Sequence, residues 1–232
     1  MALYDRDYAN QGSQTGELGL QNKSALSLFI KKTYQLFAAS LLAGSVGAYT
    51  GMDFAYQLLE YRWVLFAVEI ALLVSLMLAK RKAGLNYILL FAFTFVSGLT
   101  LSPIIEIFSS SKGGVGIVVN AFILTTVAFG TLSVFAMNTK RNFSSLGKFL
   151  LISLVVLIVA FIINIFTHSP ILYTIISAVG AILFSIYVLY DTQNIIKGAY
   201  ETPIEGAIAL YLDFLNLFLF ILRLLGIFSS DE

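Results

Sequence analysis

Long runs without charge dominate the chain. They cover residues 33–52, 83–105, 113–139, 149–167 and 169–190. Residues 63–79 form another run, interrupted only by Glu69, and 206–226 is apolar apart from Asp213 and Arg223. Each is close to the roughly 20 residues that a helix needs to cross the hydrocarbon layer. None shows the two-residue alternation of a membrane barrel strand. Backbone groups in lipid must be satisfied within their own segment, so the runs are predicted to be helices. The expected fold is all-α, a polytopic membrane protein with seven spans. Residues 1–23 are polar and are expected to be a cytosolic tail, followed by one transmembrane unit over 24–232.

Loop charge sets the expected orientation. Arg6, Lys23, Lys31 and Lys32 precede the first span. Lys80, Arg81 and Lys82 lie between spans two and three, Lys140, Arg141 and Lys148 between four and five, and Lys197 between six and seven. The other side has Arg62 and Lys112. Basic loops stay in the cytosol, so the N-terminus is expected inside and the C-terminus outside. A rival layout makes the last segment re-entrant, with both termini inside. The absence of a targeting segment is consistent with a bacterial cytoplasmic membrane.

Composition agrees with this picture and removes several functions. Apolar residues are 59% of the chain and charged ones 12%, against about 25% charged in soluble domains. Without cysteine, disulfides, thiolate nucleophiles and zinc-thiolate sites are excluded. A net charge of +1 gives no reason to expect a nucleic-acid partner. No tightly bound cofactor is expected.

Charges inside spans are costly and are default candidates for function. Four qualify: Glu69, Asp191, Asp213 and Arg223. Thr202 lies midway between the two aspartates. With Glu205 three residues later and Pro203 between, Thr202 fits a capping box at a helix start. Two antiparallel helices joined there bring Asp191 and Asp213 to similar depth, with Asp213 about 16 Å along its helix. Two carboxylates sharing a dry site cannot both ionise cheaply, so the pair is expected to hold one proton between them. Losing it would push the helices apart or recruit a cation, which makes a proton-sensitive gate. Glu69 and Arg223 are a candidate second ion pair, and snorkelling of Arg223 to the outer surface is the alternative. His168 is given no role, and Asn120, Asn164 and Asn216 are expected to join helices.

The segment Tyr190-Asp191-Thr192-Gln193, then Ala209-Leu210-Tyr211-Leu212-Asp213-Phe214-Leu215-Asn216-Leu217-Phe218 and Leu222-Arg223-Leu224-Leu225-Gly226, resembles the signature of the Bax inhibitor (transmembrane Bax-inhibitor-motif) family. Phe95-Val96-Ser97-Gly98-Leu99-Thr100-Leu101-Ser102-Pro103 is also similar, and the likeness runs over about residues 25–229. It implies a seven-helix bundle with the last helix central. It further implies a pH-sensitive calcium leak in which Asp191 and Asp213 are the sensing dyad and bind calcium weakly and transiently. Glu69 and Arg223 match positions that pair in bacterial members. Lys80 or Arg81 matches an arginine that latches the dyad.

Three functions compete. The first is a proton-gated cation leak; two aspartates are too few for tight calcium binding, which suits conduction. The second is an intramembrane aspartyl protease, suggested by Tyr190-Asp191. Its Gly-x-Gly-Asp sequence is missing at Asp213, so an enzyme is not expected. The third is a regulator of a membrane-bound AAA protease or another partner, which the family resemblance implies and for which the tail 1–23 is a handle.

Overall fold

The structure is a computed structural model and describes the backbone of residues 4–111 and 113–230, with side chains from 23 to 111 and 113 to 229. Its helices follow the apolar runs. In chain order they are α1 (Tyr4–Met52), α2 (Ala55–Glu60), α3 (Arg62–Ala79), α4 (Leu85–Ser109), α5 (Gly114–Asn138), α6 (Gly147–Thr167), α7 (Pro170–Ile196) and α8 (Pro203–Ser230). A 3-10 turn over Ser144–Leu146 leads into α6. Among the described residues there is no strand. The protein is an all-helical polytopic membrane bundle.

The helices α3 to α8 are each long and apolar enough to cross a membrane. The expected first span, 33–52, is the second half of α1. The stretch expected as a tail, 1–23, enters α1 at Tyr4 with no break in the helix; residues 1–3, and the side chains of residues 4–22, are outside the described residues. α2 is short and was not expected.

Close backbone approach joins α1 to α4. A Cβ on Gly47 would run into the Phe95 carbonyl, and one on Gly98 into the Gly44 carbonyl. Gly44, Gly47, Ala48 and Gly51 thus place a small-residue face of α1 against α4. Small residues serve this purpose in lipid, where burial of apolar surface drives no association and close packing must do so.

α8 is the central helix. Ile204, Ala207, Leu210, Tyr211, Asp213, Phe214, Leu217 and Leu222 are all buried and cover about half of its circumference at 3.6 residues per turn, and no residue from 203 to 227 is exposed. A long helix with one face buried and no exposed face is a core helix. The outer helices do the reverse: Trp63, Phe66 and Leu78 on α3 and Phe149, Leu151 and Ile152 on α6 are exposed, as lipid-facing residues are. Phe37 from α1, Phe129 from α5 and Phe214 from α8 meet beside the axis. Their ring centres are 5.0 Å apart for Phe37–Phe129 and 5.6 Å for Phe129–Phe214.

Candidate functional site

The turn between α7 and α8 builds the site. α7 does not stop at Tyr190, as the apolar run does, but continues to Ile196, which puts Asp191 within the helix. It closes in a Schellman arrangement. The Ala199 N–H donates to the Asn194 carbonyl at 2.8 Å and the Gly198 N–H to the Ile195 carbonyl at 3.0 Å. Gly198 takes φ 65°, a conformation that costs glycine little.

Four residues later α8 starts with the expected capping box. The Glu205 N–H donates to Thr202 Oγ1 at 3.3 Å, and the Thr202 N–H to Glu205 Oε2 at 3.1 Å.

The turn folds back on α7. The Tyr200 hydroxyl donates to Asp191 Oδ1 at 2.7 Å. Burial, and then the charge of Asp191, hold this phenol well above its usual range, so it remains a donor. The Asp191 and Asp213 carboxyls lie side by side, within hydrogen-bonding reach of each other. Both are buried, at 6% and 3% exposure, and Asp213 Oδ2 has no hydrogen-bond partner among the described residues. Two ionised carboxylates are acceptors only, so a bond between them needs a proton. The sequence-predicted dyad is brought together.

Further polar groups surround it. Asn194 sits beside Asp191. Thr192 Oγ1 on α7 donates to Ser133 Oγ on α5 at 3.4 Å, and Tyr34 on α1 faces the same two hydroxyls. Gln193 Nε2 donates to the Arg141 carbonyl at 2.7 Å, and the Phe143 N–H to Gln193 Oε1 at 2.7 Å, so the α5–α6 loop is tied to the end of α7.

The candidate latch residues do not reach the aspartates. Lys80 Nζ is 2.6 Å from Glu205 Oε1 and 3.1 Å from Glu201 Oε2. Arg81 gives Glu201 Oε2 both a 2.8 Å and a 3.1 Å bond. Lys80 and Arg81 therefore share the work, and they hold the turn that carries Tyr200. These bonds raise Lys80, the one to Glu205 most, and lower Glu201, the one to Arg81 most.

Glu69 and Arg223, expected as a candidate second ion pair, are not brought together. Among the described residues no ion pair joins them. Glu69 faces Ser97 and Thr100 of α4 and is near Tyr211 of α8. The Ser97 hydroxyl, beside that carboxyl, makes no hydrogen bond among the described residues. Arg223 instead lies over rings from α6, α7 and α8. The two charges lie on different sides of α8, each in surroundings of its own.

Residues 26–230 match the family model described as inhibitor of apoptosis-promoting Bax1. The chain belongs to the Bax inhibitor family. Bax inhibitor 1 of Schizosaccharomyces pombe is 34% identical over 218 residues, covering 90% of this chain and 80% of its own. A Golgi anti-apoptotic protein of Vaccinia virus is 31% identical over 228 residues, 95% of this chain and 93% of its own. An uncharacterized protein of Campylobacter jejuni is 57% identical over 235 residues, 99% of this chain and all of its own. In this member of the family the helical bundle holds a buried acidic pair.

Sequence reasoning missed Tyr200, Glu201 and Glu205 as partners. The capping box and Gly198 were visible in the sequence. The direction in which the turn folds was not, because it depends on the carbonyls left free at the end of α7.

Proposed function

We propose that the chain is a pH-sensitive cation leak, with calcium the permeating ion, gated by the proton that Asp191 and Asp213 share. The observation that carries this reading is the buried Asp213 carboxyl, whose Oδ2 has no hydrogen-bond partner among the described residues and which lies beside that of Asp191. Once the proton leaves, two like charges about 4 Å apart repel by about 4 kcal/mol at an effective dielectric of about 20. A single hydrogen bond to a charged group contributes about 1.5–3 kcal/mol, so the Tyr200 bond alone does not offset the repulsion. The pair then separates or takes a cation, and calcium's preference for carboxylate oxygens makes it a fitting one. Two carboxylates give a weak site that an ion leaves easily.

Lys80 and Arg81 act as the latch at one remove, by holding Glu201 and Glu205 and with them the turn. On this reading this end of the bundle faces the cytosol across a bacterial inner membrane and the Ser230 end lies outside, which the excess of basic residues in the loops at this end supports. No chemical step is assigned to the aspartates, so the reading is not of an enzyme.

The test is calcium flux into liposomes holding the full chain, between about pH 6 and pH 8, a range in which a shared carboxyl proton titrates. Asp191→Asn and Asp213→Asn should each abolish the pH response. If both keep it, the pair is not the sensor.

The anti-apoptotic names of two relatives favour a second reading, control of a partner such as a membrane-bound AAA protease. Removing residues 1–23 separates the two: a leak survives the deletion, whereas partner co-purification through the tail does not.

A further inference from the structure

Arg223 has three aromatic walls. Its guanidinium carbon is 5.3 Å from the ring centre of Phe161 on α6, 5.9 Å from that of Tyr173 on α7 and 5.4 Å from that of Phe220 on α8. Rings attract the charge of a guanidinium. They offer none of the oxygen acceptors that its five N–H donors can use. Among the described residues no carboxylate forms an ion pair with Arg223, and no hydrogen bond runs from its side chain to another group. The residue is half-buried, so part of it remains accessible, and no described residue fills the place of an anion beside it.

Depth says what that is. α8 has 28 residues and is about 42 Å long, which matches a bilayer of about 40–45 Å with its headgroups. Arg223 comes seven residues before Ser230, about 10 Å from that end. The headgroup layer on one side accounts for about 5–7 Å of this. The Arg223 backbone thus lies about 3–5 Å below the polar boundary, and an arginine side chain spans that distance. Three rings around the head restrict its freedom, and a planar fork suits two oxygens of one phosphate.

We propose that Arg223, walled by Phe161, Tyr173 and Phe220, binds the phosphate of a phospholipid in the leaflet at the Ser230 end of α8. The site is at the opposite end of α8 from its capping box, and it does not depend on the gating function or on which leaflet faces the cytosol.

The experiment uses the full chain in detergent, with bound lipid counted by native mass spectrometry. Phosphatidylglycerol and diacylglycerol of the same acyl chains are added in turn. The wild-type protein should retain phosphatidylglycerol at least about tenfold better than diacylglycerol. Arg223→Gln should lose most of that preference, and Arg223→Lys, a point charge without the fork, should lose part of it. Equal retention of the two lipids by the wild type overturns the proposal and needs no variant. So does an Arg223→Gln protein that keeps wild-type helical content and wild-type phosphatidylglycerol binding. Displacement of phosphatidylglycerol by excess inorganic phosphate would assign the site to a free anion and overturn the lipid.

Discussion

The Tyr200 hydroxyl donates to Asp191 Oδ1 at 2.7 Å, from a turn that Lys80 and Arg81 hold through Glu201 and Glu205. The aspartate pair is thereby connected to the surface through one phenol. Of the groups on the turn, Tyr200 contacts the pair, and the salt bridges set where Tyr200 lies.

Tyr200→Phe removes a donor that favours the charged carboxylate, so more alkaline conditions are needed to free the shared proton. The midpoint of the pH response of calcium flux should move up by about one unit, the equivalent of a hydrogen bond to a charged group. Flux measured across a pH series in liposomes checks this. An unchanged midpoint means that the phenol is only structural.

The salt bridges should not sense pH in the range where the leak does. Glu201 is lowered from its ordinary value of 4.5, so its contribution is present above that value and disappears as pH falls through the lower folded one. Lys80 is raised from 10.5, so its contribution is present below that value and disappears as pH rises through the higher folded one. Between about pH 5 and pH 10 the clamp is constant. Glu201→Gln should therefore change the size of the flux while leaving its midpoint in place, and a full pH profile of this variant would show it.

Gly98→Leu should destabilise the bundle. Its side chain would meet the Gly44 carbonyl, which is backbone and cannot turn aside. Overpacking costs about 1–3 kcal/mol where side chains can shift, and the cost here should lie at the upper end or above. Thermal unfolding in detergent should show a clear drop in midpoint. Gly130→Leu is the control, because a Cβ there meets nothing within 4 Å.

Glu69→Gln and Arg223→Gln should act independently, since the charges are in separate surroundings. The stability changes should add within about 0.5 kcal/mol in the double variant. A larger coupling would mean that the two meet in another state of the protein.

Much was legible in the sequence because lipid leaves few choices. Charge-free runs of bilayer length had to be helices, and Thr202-Pro203 with Glu205 had to begin one. Asp191 and Asp213, equally far from that turn, had to meet at one depth. Each of these follows from local spacing and the period of a helix. The partners of the isolated charges did not follow. Spacing along a helix fixes depth, but only packing fixes which way a side chain faces around the axis. Glu69 and Arg223 have opposite charges, yet they face different neighbours of α8. Lys80 and Arg81 stand at the right end of α3, but the turn between α7 and α8 puts two glutamates within their reach first. The Schellman closure that directs this turn depends on free carbonyls and a glycine at positive φ, and the chain brings these together only once α7 is formed.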